Sequence, residues 1–463
     1  MFPRSRRSSG ILSLVSCVLW LCALPAAAQQ TSPATGTPPP ATGTPPAAST
    51  PPAQATPPPA EGAGEAQMSA EELAEIEKAL GKDATDASAS GTPAAAPPAA
   101  GTNTGTTVVR VGTSNNQWLD LSFILDGALA AFTAEEPLQT GGHDPNTNGF
   151  NFQQLELSVR SVVDPYFRFD SNIVFALAGV EIEEAYVTTL DLPANLQLRA
   201  GKFLTRFGRI NPTHPHSWDF ADQPFSIGRV FGGEGNQGLG LEVSWLTPLP
   251  WYVEVIGSGT DAIGAASARS FLGGGGGRVV SPFDFQFTGA VKQFFEISDN
   301  TSLLWGLSSA TGPNPTGYRN YTNVFGTDVY LKYRPTTVAS STIISLQAEL
   351  LYRRRQVPDD VLSDYNGYAQ ALWRFSQRWA VAGRYELGTA ARGQDGRIAN
   401  DPLDPDWTDS RQRISASLTF WPTEFSRLRL QAATDRAGWR DERDYSAFLT
   451  LEAVVGAHGA HAF

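Results

Sequence analysis

"WLDLSFILDGALAAF", from Trp118 to Phe132, alternates with a period of two. Leu119, Leu121, Phe123, Leu125 and Leu129 fall on one face, and Asp120, Ser122 and Asp126 on the other. Successive side chains of an extended chain point to opposite sides, so the stretch predicts a strand with one apolar and one polar face. "QQLELSVRSVV" repeats the scheme, setting Leu155, Leu157, Val159 and Val163 against Gln154, Glu156 and Arg160. In "TIISLQAELLYRRR", Ile344, Leu346, Ala348, Leu350 and Tyr352 oppose Ser345, Gln347, Glu349 and Arg353. "GTDVYLKYRP", "RISASLTFW", "SRLRLQAATDR" and "YSAFLTLEAVVG" continue it, so everything after Trp118 reads as a march of strands.

A soluble sandwich alternates too, and the connections decide between the two. Short, turn-forming links occur at Asp164-Pro165, at 192–195, 247–250, 298–302, 334–340, 376–378 and 422–424. Between them fall mostly longer loops, near 133–151, 204–238, 258–282, 310–325, 356–364, 389–410 and 436–443. Short turns at one end and long loops at the other mark an outer-membrane β-barrel. Aromatic residues gather at the short turns: Tyr166 and Phe167, Trp245 and Trp251, Phe375 and Trp379, then Phe420, Trp421 and Phe425. Such a cluster predicts an interfacial girdle. The reading is an all-β, transmembrane antiparallel barrel of about sixteen strands, a size that leaves an aqueous channel. The strands start near residues 118, 152, 166, 180, 196, 239, 251, 283, 301, 326, 342, 365, 379, 411, 425 and 443. An even strand number returns both barrel ends to the periplasm, where an N-terminal tether would lie.

The N-terminus sets the compartment. Arg4, Arg6 and Arg7 precede an apolar core from Ile11 to Pro25, and "AAA" (Ala26–Ala28) offers a cleavage site. Residues 1–28 therefore read as a signal peptide. Both cysteines, Cys17 and Cys22, lie inside it, so the mature chain is expected to hold no disulfide and no thiolate metal site. Residues 29–106 are a Pro/Ala/Thr-rich periplasmic arm, too poor in apolar residues to build a core. One short helix is predicted in it over 69–82, with Ser69 and Glu72 as a capping box and Leu73, Ile76 and Leu80 on one face. That helix reads either as a docking peg, with peptidoglycan contact through the arm, or as a nascent helix in a tether. The barrel occupies 107–463. A formal net charge of -12 argues against a nucleic-acid partner.

"IEEAYVTTLDLPANLQLRAGKFLTRFGRIN" (Ile182–Asn211) resembles the segment of phosphate-selective porins, the porin O and P family, in which a strand ending in "GKF" enters a long loop. "QFFEISDNTSLLWGLSSATGPN" (Gln293–Asn314) is similar to their later hairpins. The terminal Phe463 resembles the C-terminal signal of outer-membrane barrels, with His461 departing from its usual apolar residue. The resemblance implies a homotrimeric, sixteen-stranded channel in a Gram-negative outer membrane, with the third outer loop folded inward. By strand order that loop is 204–238. It carries Arg206, Arg209, Arg229, Asp219, Asp222 and Glu234, with Lys202 just before it and Arg199 and Gln197 facing the lumen nearby. Charges at a constriction select ions by sign. Their slight basic excess gives an expectation of anion preference; the competing reading is that they only brace the loop. A ladder of lumen arginines is not evident, so phosphate specificity does not carry over.

Histidine is scarce. His214 and His216 form "HPH" in the third loop, and His458 and His461 form "GAHGAH" at the C-terminus, on the opposite side of the membrane. Imidazoles ligate divalent metals, zinc first, which makes His214 and His216 candidate ligands. "GGGGG" (Gly273–Gly277) lacks the Lys-Ser or Lys-Thr of a phosphate loop. No serine, histidine and acid converge recognisably, so no enzyme and no cofactor are expected. The expectation is passive diffusion of small hydrophilic solutes or ions through an outer-membrane barrel in contact with lipid. The alternatives are a structural anchor or surface barrel, and metal-linked uptake through the "HPH" loop.

Overall fold

In the computed structural model the described residues are 119–261, 269–272, 280–336 and 341–456. The leader, the arm with its 69–82 helix, the glycine run, and His458, His461 and Phe463 lie outside them. The described residues form sixteen antiparallel strands. They begin with β1 (Leu119–Phe132), β2 (Gly149–Val162), β3 (Phe167–Ala176), β4 (Gly179–Thr189), β5 (Leu196–Leu204) and β6 (Gln237–Leu246). Next come β7 (Tyr252–Thr260), β8 (Gln286–Ser298), β9 (Thr301–Pro313), β10 (Tyr321–Tyr333) and β11 (Ile343–Val357). β12 (Asp360–Ser376), β13 (Trp379–Gly388), β14 (Arg411–Thr423), β15 (Ser426–Ala437) and β16 (Asp444–Gly456) complete the set. Each strand pairs with its sequence neighbours, and β1 closes the barrel on β16 from Ser122↔Gly456 to Phe132↔Ser446. Closure leaves no strand edge unpaired, which a sheet in hydrocarbon requires.

The period of two sorts the side chains. On β11, Ile344, Leu346 and Leu350 point outward and are exposed, while Gln347, Glu349, Arg353 and Arg355 point inward and are buried. On β1 the outward row is Phe123, Leu125 and Leu129, against inward Ser122 and Asp126. An apolar outside around a charged inside is the arrangement of a barrel in lipid, the reverse of a soluble barrel. At the turn end Tyr166, Trp245, Trp251, Phe375 and Trp379 are exposed. The rings of Trp379 and Phe420 stack at 4.5 Å there.

One connection at the loop end is shorter than the sequence suggests. The stretch 356–364 is no long loop: β11 and β12 stay paired from Arg353↔Asp364 to Val357↔Asp360, turning on Pro358 and Asp359 alone. Pro358 supplies the fixed negative φ and Asp359 the positive one, at 65°. The polar composition that mimics a loop is an inward-facing ion pair, Arg353 Nε to Asp364 Oδ2 at 2.9 Å. β3 and β4 also join through a tight turn at Leu177 and Ala178, with Ala176 opposite Gly179.

Candidate functional site

Between β5 and β6 the chain leaves the wall as a 32-residue excursion, 205–236, that folds into the lumen. Its neck is a clasp. Thr205 N–H donates to the Asn236 carbonyl at 2.9 Å, and the Asn211 amide donates to the carbonyls of Thr205 and Asn236, each at 2.9 Å. Asn236 N–H returns a bond to Asn211 Oδ1 at 2.6 Å. The loop then crosses to the far wall. Gly208 N–H donates to Ser308 Oγ on β9 at 3.0 Å, and Ile210 N–H to Glu349 Oε1 on β11 at 2.7 Å. Gly208 has φ 59°, and a Cβ there would lie 2.2 Å from Glu349 Oε2, so only glycine lets the backbone approach this carboxylate.

Beyond the 3-10 turn Pro215–Ser217, the short helix α1 (Phe225–Phe231) is buried along its whole length. Phe207, Ile210, Ile227, Val230 and Phe231 form an apolar core with Phe271, Val324 and Leu351. An apolar cluster inside a polar lumen makes the loop a seated element rather than a flexible flap.

The wall facing it carries an arginine row. Arg353 and Arg355 on β11, Arg384 on β13, Arg411 and Arg413 on β14, and Arg427 and Arg429 on β15 are all buried. The sequence reading found no such ladder. Its signal was the i, i+2 spacing of arginines on the polar faces of β11, β14 and β15. These side chains grip the loop: Arg384 and Arg413 both bind Asp222 at 2.5 Å. Arg427 and Arg429 donate to the Trp218 carbonyl at 3.1 and 2.6 Å. Burial alone would raise Asp222, but the Arg413 and Arg384 guanidiniums outweigh it and hold this carboxyl well below the ordinary carboxylate range.

The residues singled out from the sequence divide by partner. Arg199 and Arg206 share Glu242, at 2.9 and 2.8 Å, and Arg206 also reaches Glu254 at 2.6 Å. Lys202 lies toward the outer rim with Glu181 at 3.3 Å. Gln197 is exposed near the turn end, its amide 3.4 Å from the Thr189 carbonyl. Arg229, fully buried, bonds Asp404 at 3.0 Å, Asn366 at 2.8 Å and the Thr389 carbonyl at 2.7 Å, and lies 3.8 Å over the Trp407 ring. Burial lowers its pKa below the usual guanidinium value. Asp219 accepts from Gln370 at 3.0 Å, and burial raises its carboxyl. Arg209 differs: its contacts are the Gln347 amide at 3.4 Å and the Tyr330 ring at 3.6 Å, both uncharged.

His214 and His216 stack on one another, with ring centroids 5.8 Å apart and planes within 1°. The structure adds a third histidine that sequence spacing could not connect to them, His143 of the first loop (133–148). His143 Nε2 stands 3.1 Å from both Glu183 Oε1 and Glu234 Oε2. His214 Nδ1 stands 3.1 Å from Glu183 Oε2, and its Nε2 stands 2.9 Å from Glu184. His216 Nδ1 meets Glu156 Oε2 at 3.2 Å. Burial disfavours the imidazolium at His143 and His214, yet the surrounding glutamates prevail and hold both well above the ordinary histidine value.

No family model matches the chain. An uncharacterized protein of Aquifex aeolicus (strain VF5) is 32% identical over 356 residues, covering 70% of this chain and 73% of its own. Among solved structures the chain is similar to the outer membrane channel DcaP of Acinetobacter baumannii. The TM-score is 0.52 at 12% identity, over 74% of this chain and 99% of that one. The anion-selective porin from Comamonas acidovorans gives a TM-score of 0.49 at 10% identity, over 73% and 99%. At such identities the likeness is one of fold.

Proposed function

This chain belongs to the family of the Aquifex aeolicus protein, and we propose that it is an outer-membrane channel for passive diffusion of small hydrophilic solutes or ions. One observation carries the reading: a closed sixteen-strand barrel, apolar outside and charged inside, has its third outer loop seated in the lumen. Barrels of this size enclose a water-filled space, and an inward loop narrows it. The fold shared with DcaP, itself described as an outer membrane channel, is consistent with that use.

In this reading residues 1–28 export the chain, 29–106 tether it in the periplasm, and 107–463 form the barrel in the bacterial outer membrane. Lipid covers the outward apolar rows. A homotrimer, and contact of the arm with peptidoglycan, are the partners the sequence resemblance and the arm's composition put forward. The 205–236 loop is the constriction. Arg199, Arg206, Asp222 and Arg229 brace it through their partners, Asp219 lines the same passage, and Arg209 supplies cationic charge not offset by direct contact. Lys202 sits at the rim. Phosphate specificity is not part of the proposal.

Folded protein reconstituted in a planar bilayer is expected to give discrete current steps. Silence from a sample verified as folded would discard the channel and leave the barrel as a structural anchor, the role that its densely paired interior also permits.

A further inference from the structure

Glutamates and histidines of the first loop, the third loop and the wall converge in one cluster. Glu183 on β4 turns one oxygen toward each of two histidines: Oε1 to His143 Nε2 and Oε2 to His214 Nδ1, both at 3.1 Å. Glu234 completes the first group and Glu156 the second. Within each set of three, the potential ligand atoms all lie within 4.8 Å of one another. For metal bonds of about 2.0–2.1 Å, neighbouring ligands on a tetrahedral ion stand about 3.3 Å apart, close to the 3.1 Å of the His143–Glu183, His143–Glu234 and His214–Glu183 pairs.

Two further observations point to a ligand here. Glu156 is 1% exposed, and among the described residues its buried Oε1 has no hydrogen-bond partner. A carboxylate oxygen left so is costly unless something binds it. Next, the other nitrogen of His214 lies 2.9 Å from Glu184 and 2.8 Å from the Asn172 amide, which places a carboxylate where an outer partner orients a ligating imidazole.

We propose that these residues form a divalent transition-metal site of the zinc class, with Glu183 bridging two positions. His143 and Glu234 hold one ion; His214 and Glu156 hold the other. Imidazole and carboxylate without thiolate suit zinc, cobalt or nickel better than calcium or magnesium. The ions tie the first loop, the third loop and the wall together. His216, stacked on His214 and bonded to Glu156, orients that half. The side chains of His143 and Glu234 are 13% and 18% exposed, which leaves a way in for a cation. None of this depends on the barrel conducting.

The test uses the full-length folded barrel, stripped with chelator and titrated with Co²⁺ and Zn²⁺, read by calorimetry and by the visible absorption of tetrahedral cobalt. Two equivalents are expected. His143→Ala and His214→Ala should each remove one. Glu183→Gln, which keeps the side chain's shape, should weaken both by at least about a hundredfold, since outer-shell partners alone account for about 10–100-fold. Glu183→Asp, checked for folding beside it, should retain part of the binding. No binding, or binding lost only when His458 and His461 are replaced, would overturn the proposal. A single equivalent would overturn the bridged pair.

Discussion

Asp222 shows how much of this interior rests on single side chains. It is fully buried, with Arg384 and Arg413 at 2.5 Å on its two oxygens and the Gln431 and Gln139 amides at 2.9 and 3.2 Å. Removing one partner of a buried pair strands the others, at about 3–5 kcal/mol. Asp222→Asn keeps the shape and removes the charge, so it should lower unfolding stability in urea by that amount. The acid dependence has a definite sign. The folded carboxyl is held below its unfolded value, near about 3.9, so its contribution is complete above that pH and disappears as pH falls through the folded value. The variant should therefore lose part of the wild type's acid limb. A variant within about 0.5 kcal/mol of wild type, the usual range for surface substitutions, would show that the two arginines are satisfied otherwise.

At the scale of the element, the third loop behaves as a folded unit held at its neck. Asn211 makes bonds to both strands of that neck, and nothing else bonds Asn236 N–H among the described residues. Asn211→Ala should release the neck while the apolar core at Phe207 and Phe231 stays seated. Trypsin should then cut after Arg206 or Arg209 faster than in wild type, with the barrel still intact on a gel. Equal cutting rates would assign the loop's stability to its core alone. Strand order in the sequence was enough to place this loop third and to locate it near 204–238, because a barrel of consecutive hairpins leaves no other topology. Its seat was not legible. Ser308, Glu349, Glu386 and Gln431, which hold its backbone, come from strands 100 to 210 residues away. The 356–364 stretch misled for a different reason: Asp364, which reads as loop, is buried against Arg353 of the neighbouring strand rather than in water. His143 could not be joined to His214 by spacing, since the loops meet only when the barrel closes.

For the whole molecule the open matter is the sign of the field in the lumen. The chain is acidic overall, at -12, yet net charge far from the passage is screened over about 8–10 Å at ordinary salt. What a permeating ion meets is the charge left over near the loop. Most of the cations singled out from the sequence are paired: Arg199 and Arg206 with Glu242, Arg229 with Asp404. Arg209 rests on the Tyr330 ring and an uncharged amide. Lys332 lies two residues along the same strand, on the same face as Tyr330, and is half-buried. A loop cation and a wall cation facing the same side of the lumen should give the channel anion preference, read as the reversal potential under a salt gradient. Replacing both, Arg209→Ala with Lys332→Ala, should move that potential toward the cation side, and the difference should shrink as salt is raised. A wild-type preference for cations would mean that Asp219 and the acidic walls outweigh Arg209, and would return the loop's arginines to a bracing role alone.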